Sequence, residues 1–112
     1  SSRINEIFIP SKVSKIGEFA FSFCHYLKKV EFATNSNLQT IESFTFHHSY
    51  IKGILIPPNV SKICKSAFSD CWKLQLIEIS EGSKLDSIPL SAFSGCSNLI
   101  IMIPSLLNKL NL

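Results

Sequence analysis

Ala67-Phe68-Ser69-Asp70-Cys71-Trp72-Lys73-Leu74-Gln75-Leu76-Ile77-Glu78-Ile79 decides the fold, because the chain writes this stretch more than once. Ala20-Phe21-Ser22-Phe23-Cys24-His25-Tyr26-Leu27-Lys28-Lys29-Val30-Glu31-Phe32 precedes it, and Ala92-Phe93-Ser94-Gly95-Cys96-Ser97-Asn98-Leu99 follows. A weaker copy runs from Thr45 to Ile56 between them. The repeated phenylalanines Phe21, Phe46, Phe68 and Phe93 are 25, 22 and 25 residues apart. Self-similarity at such a period is the signature of a solenoid, in which no unit buries its apolar face alone.

The alternation of spacing has a readable cause. Two units open through a short proline turn, Ile9-Pro10-Ser11-Lys12-Val13 and Ile56-Pro57-Pro58-Asn59-Val60. Two open through a loop two residues longer, Phe32-Ala33-Thr34-Asn35-Ser36-Asn37-Leu38 and Ile79-Ser80-Glu81-Gly82-Ser83-Lys84-Leu85, and the second unit lacks one residue between Ser49 and Ile51. Within each unit an apolar pair three apart (Val13/Ile16, Leu38/Ile41, Val60/Ile63, Leu85/Ile88) comes first, then the aromatic, then Cys or Ser, then an alternating segment. That alternation, Val30 and Phe32 against Lys29 and Glu31, predicts a strand with two faces. Its copies are Ile7/Ile9, Ile54/Ile56 and Ile77/Ile79. Strands that recur one period apart must run parallel, with inward Val, Ile, Leu and Phe forming ladders. The Ser-x-x-Ala-Phe-Ser segment is expected to cross the back of the coil as a short helical or 3₁₀ turn.

Composition narrows the function. The chain has 112 residues, the length of one domain, with high apolar and low charged content, which argues against disorder. Eleven basic and eight acidic residues give +3, spread too thinly for a nucleic-acid stripe. The opening Ser1-Ser2-Arg3-Ile4-Asn5-Glu6 does not read as a signal peptide. The most apolar run, Leu99 to Ile103, is stopped by Pro104 well short of the ~20 residues of a membrane span, so no membrane insertion is expected.

Residues that invite chemistry are explained more simply by packing. Cys24, Cys71 and Cys96 share one repeat position and read as free thiols lining the coil. His25, His47 and His48 lack metal-ligand spacing and are expected as solvated residues of the convex turn. Lys12, Lys15, Lys62 and Lys65 are expected on one solvated lateral surface, and Asn59-Val60-Ser61 is a glycosylation sequon. No metal, no cofactor and no catalytic residue is assigned. The sharper signal is the outward side of the strands, whose columns read Phe8, Glu31, Leu55, Glu78 and Glu6, Lys29, Gly53, Leu76, Ile101. Four large apolar side chains, Phe8, Leu55, Leu76 and Ile101, would stand in water as anchors for a protein ligand, with Lys29, Glu31 and Glu78 as their polar surround. Neither Ile4 to Ile9 nor Leu106 to Leu112 reads as a polar cap, so self-association through the ends is also expected.

The pattern Ile-Pro-x-x-Val-x-x-Ile-x-x-x-Ala-Phe-x-x-Cys-x-x-Leu-x-x-Ile-x-Ile resembles the BspA-like, Treponema-type leucine-rich repeats of surface proteins, over roughly residues 4 to 104. Departures are Ser49 in place of Cys, Cys64 and Pro89 where Gly17 stands in the first unit, and a last unit one residue shorter near Ile101. The resemblance implies an α/β repeat solenoid: a right-handed coil with a parallel β-sheet on one face and short helical or 3₁₀ turns or short strands on the other. Residues 1–112 are then one leucine-rich repeat domain of about four units, part of a longer array. The resemblance further implies a cell-surface or secreted, non-catalytic module that binds a host, cell-surface or extracellular-matrix protein. The alternative from another class is a structural spacer or self-assembling element, a homo-oligomer formed through its ends or sheet face.

Overall fold

The computed structural model describes residues 3–104. The chain returns to the front five times over its four coils, as β1 (Glu6–Ile9), β3 (Lys29–Phe32), β5 (Gly53–Ile56), β7 (Leu76–Ile79) and β8 (Ile100–Met102). Shorter strands β2 (Lys15–Ile16), β4 (Thr40–Ile41) and β6 (Lys62–Ile63) form a second sheet. All pairings are parallel, as strands recurring once per coil require.

Register follows the alternation. Ile7 pairs with Val30 and Ile9 with Phe32, then Ile54 with Ile77 and Ile56 with Ile79. These form the inward ladders, joined from behind by Phe46, Phe68 and Phe93, all buried. The rings of Phe21, Phe46, Phe68 and Phe93 stack in one column at 5.5, 5.2 and 5.4 Å between centroids. Both kinds of inter-unit connection are visible in their hydrogen bonds. The proline turns close with Val13 N–H on the Pro10 carbonyl and Val60 N–H on that of Pro57. In the longer loops Ser36 and Ser83 each accept from the backbone N–H two residues on, at 3.2 Å.

The back of the coil corrects the α/β expectation. Among the described residues there is no α-helix, and the only 3₁₀ turn is Leu90–Phe93. A helix keeps its N–H groups within one segment, whereas here they alternate. Ala20 and Ser22 N–H close turns within the coil, while Phe21 and Phe23 N–H cross to the Thr45 and His47 carbonyls of the next coil, both at 2.8 Å. The alternation needs left-handed residues at regular intervals, and Phe19, Phe23, Phe44, His48, Ser66 and Asp70 all have positive φ. A right-handed helical run cannot pass such residues. The molecule is thus a β-solenoid closed behind by turns and two-residue strands.

The front ladder is not continuous. β1 pairs with β3, and β5 with β7 and β8, but β3 and β5 lie side by side in separate sheets. The break falls in the coil that lacks a residue between Ser49 and Ile51, which reaches the front about 3.3 Å of chain early.

Candidate functional site

The outward side of the front strands is where sequence placed the site. Phe8 lies beside Glu31 on the β1–β3 pair, and Leu55 beside Glu78 on the β5–β7–β8 sheet. Phe8 and Leu55 are 57% and 53% exposed. Lys29, Glu31 and Glu78 are exposed around them, while Leu76 is half-buried beside Gly53.

Ile101 does not belong to this face. It pairs with Ile77 on the inward ladder and packs against the core, so the outward residues of β8 are Ile100 and Met102, 63% and 55% exposed. The cause is the shortened last unit: one residue fewer before the strand exchanges its two faces. The apolar column is therefore Leu55 and Met102 with Glu78 between them.

Three shallow grooves cross the face. Phe8, Glu6, Lys29 and Glu31 border one of about 220 Å³. A second, about 450 Å³, lies along the break between β3 and β5, lined by Lys29, Glu31, Leu55, Pro57 and Pro58 among others. The third, about 500 Å³, lies between Leu55, Glu78 and Met102. Apolar anchors, both signs of charge and rigid proline backbone suit contact with a protein surface.

The other candidates have structural roles. All four cysteines are free. Cys71 and Cys96 donate their thiols to the Phe46 and Phe68 carbonyls of the preceding coil, at 3.0 and 3.2 Å. Ser49, in the same column and fully buried, lies with its hydroxyl 3.6 Å from the Cys71 sulfur. A hydrogen bond with Cys71, then burial, pushes the Cys96 thiol far above the ordinary range, and burial raises Cys24. Lys15 and Lys62 flank Thr40 across the second sheet. The sequon residue Asn59 spends its amide on the Ser36 carbonyl at 2.9 Å. Among the described residues no three His, Cys, Asp or Glu side chains gather to hold a metal, and no helix is long and apolar enough to cross a membrane.

The histidines are not simply solvated. His25 Nε2 is 3.3 Å from His48 Nδ1, and His47 Nδ1 is 2.7 Å from the Ser69 hydroxyl. His48 stacks on Phe23 and meets Trp72 edge-on at 4.6 Å, while His25 stacks on Tyr50 at 4.9 Å. The result is an aromatic cluster on the flank of coils one to three. Sequence reasoning passed over it, although Phe23 and His48 share one repeat position and Trp72 stands beside the Cys71 column.

Of the expected ends, the N-terminal one shows an apolar groove lined by Ile4, Ile7, Phe21, Cys24 and Leu27, where Phe21 is only half-buried. The segment Leu106 to Leu112 lies outside the described residues.

Comparisons with known proteins place this geometry. The model of the BspA type leucine rich repeat region matches residues 1–112 in six copies. A comparison with curated proteins gave no match. Among solved structures, a leucine rich cell surface protein from Faecalibacterium prausnitzii is 29% identical, with a TM-score of 0.83 over 95% of this chain and 27% of the other. The pneumococcal vaccine antigen PcpA is 26% identical, with a TM-score of 0.76 over 90% of this chain and 31% of its own. A leucine-rich repeat protein from Bacteroides ovatus, 24% identical with a TM-score of 0.50 over 96% of this chain and 41% of its own, shares the fold. The chain spans about a third of these proteins or somewhat more or less.

Proposed function

Because the chain belongs to the BspA-type leucine-rich repeat family, we propose that it is a non-catalytic recognition module of a cell-surface or secreted protein, and that it binds a host, cell-surface or extracellular-matrix protein through its outward sheet face. The supporting observation is the column of exposed Leu55 and Met102 with Glu78 between them, continued by Phe8 and Glu31 across the break in the ladder. Large apolar anchors within a polar surround are the composition of binding hot spots. The description of the Faecalibacterium relative as a cell surface protein supports the location. On this reading residues 1–112 are one domain of a longer array.

The test is binding of the wild-type chain and of a Leu55→Glu/Met102→Glu variant to a panel of extracellular-matrix and cell-surface proteins, with solution mass recorded for both. Both side chains are exposed, so the variant keeps its fold. Loss of a ligand at constant mass supports the module. The second reading, a self-assembling spacer, is favoured by the open groove beside Phe21. It predicts no ligand and a concentration-dependent mass that Phe21→Ser reduces.

A further inference from the structure

The aromatic flank carries a feature that the sheet face lacks, an unbalanced row of cations. Tyr26 and Lys28 bracket buried Leu27, Tyr50 and Lys52 bracket buried Ile51, and Lys73 precedes buried Leu74. Tyr26, Lys28, Lys52 and Lys73 are exposed and Tyr50 half-exposed where each coil runs into its front strand, so these five side chains share one flank. The Arg3 guanidinium lies 5.6 Å over the Tyr26 ring and Lys73 Nζ lies 5.7 Å over Tyr50. Cations are thereby set on aromatic faces. No carboxylate occurs in residues 23–28, 47–52 or 71–75. Asp70, the nearest acidic residue in sequence to this flank's third coil, aims its carboxylate at Gly95 of the fourth.

The cations are strung out over three successive coils, with about 4.8 Å from coil to coil. They do not converge on a point, as a site for a small anion would require. Beside the row stands the exposed ring of Trp72, a flat surface of the kind on which sugar rings stack, while the rings of His48 and Tyr50 are taken up by Phe23, His25 and Lys73. We propose that this flank binds a linear anionic polysaccharide, sulfated or carboxylated, laid along the solenoid axis with its charges on Lys28, Lys52 and Lys73 and a sugar ring against Trp72. The site is separate from the sheet face and does not depend on that face binding anything.

Trp72 is the only tryptophan, so its fluorescence reports the site directly. The experiment is titration of the chain with a heparin octasaccharide at 50 and 200 mM salt, with Lys52→Ala/Lys73→Ala and Leu55→Glu/Met102→Glu variants alongside. Polyglutamate and oligothymidylate of matched charge serve as competing probes. Heparin is expected to shift Trp72 emission, to bind at least about tenfold more weakly at the higher salt because ionic contacts are screened, and to lose at least about tenfold in the lysine variant. The leucine–methionine variant is expected to bind like wild type, which separates this site from the sheet face. Circular dichroism of the lysine variant, whose substitutions are both at exposed positions, is expected to match wild type. The proposal is overturned if heparin leaves Trp72 unchanged at 50 mM salt, if the folded lysine variant binds equally, or if polyglutamate or oligothymidylate binds as tightly.

Discussion

Gly95 lies so close to Asp70 that a β-carbon built on it meets the Asp70 Cα and backbone nitrogen at 3.1 Å, and its φ is +85°. Gly95 occupies the repeat position filled by Phe23, His48 and Asp70, at φ 58°, 61° and 56°. Those three accept a left-handed conformation that costs an L-residue roughly 1–2 kcal/mol. In the fourth coil the position is held against its neighbour by the 2.7 Å bond from Asp70 N–H to the Ser94 carbonyl, the counterpart of the bonds from Phe23 N–H to His47 and from His48 N–H to Ser69.

Gly95→Ala is therefore expected to lower stability by about 1–3 kcal/mol, from strain in φ and the contact with Asp70 backbone. Gly17→Ala is the control. Nothing lies within 4 Å of a β-carbon there and its φ is not in the left-handed region, so stability is expected to hold or rise by about 0.4–1 kcal/mol. Urea unfolding of the two variants beside wild type measures both.

The phenylalanine column predicts a gradient. Phe68 is fully buried between Phe46 and Phe93, at 5.2 and 5.4 Å, so Phe68→Ala is expected to cost about 3–5 kcal/mol and to unfold much of so small an array. Phe21 is half-buried with one ring neighbour in the column, and Phe21→Ala should cost clearly less. Equal melting temperatures for the two would show that the column is not the continuous core described.

What was legible in the sequence was whatever the period dictates. Ile7, Val30, Ile54 and Ile77 face inward and Phe8, Glu31, Leu55 and Glu78 outward because a strand has two sides and each coil repeats the last. The back of the coil was not legible. Ser and Ala in Ser66-Ala67-Phe68-Ser69 suit a helical turn, and it is the N–H groups of Ser66, Phe68 and Asp70, crossing to Ser91, Ala92 and Ser94, that turn it into an inter-coil bridge. The aromatic flank was hidden for a different reason. Phe23, His48 and Trp72 come from three coils, and the left-handed backbone that tilts Phe23 and His48 together is not a property of residue type.

The thiol column makes stability depend on pH. Cys96 and Cys24 are raised, the first by its hydrogen bond with Cys71 and the second by burial, so the fold favours their protonated forms. Their contribution is complete below the ordinary thiol range near pH 8.5, and is lost as pH rises through the raised folded values. Cys71, lowered by its interaction with the Cys96 side chain, offsets part of this. The melting temperature is expected to fall more steeply between pH 8 and 10 in wild type than in a Cys24→Ala/Cys96→Ala variant. Parallel slopes would remove the thiols as the cause.

Ser49 interrupts the same column with a buried hydroxyl whose partner is only the weakly hydrogen-bonding Cys71 sulfur. Burying a poorly satisfied hydroxyl is unfavourable, whereas a thiol behaves as a small apolar group. Ser49→Cys is expected to raise stability by about 0.5–1 kcal/mol, read as a shift in the urea midpoint at unchanged slope. A lower midpoint would mean that the larger sulfur overpacks the second coil.

Ile101 and Met102 are adjacent, yet the shortened last unit turns one inward and the other to solvent. A charge separates the two positions sharply, because a carboxylate against the apolar core must be desolvated or must displace its neighbours, whereas one on the open face stays hydrated. Ile101→Glu is expected to lower stability by about 1–3 kcal/mol, while Met102→Glu stays within about 0.5 kcal/mol of wild type. The opposite ranking would restore Ile101 to the outward face and move the apolar column away from Met102. The two substitutions thus test the register of β8 before any ligand is in hand.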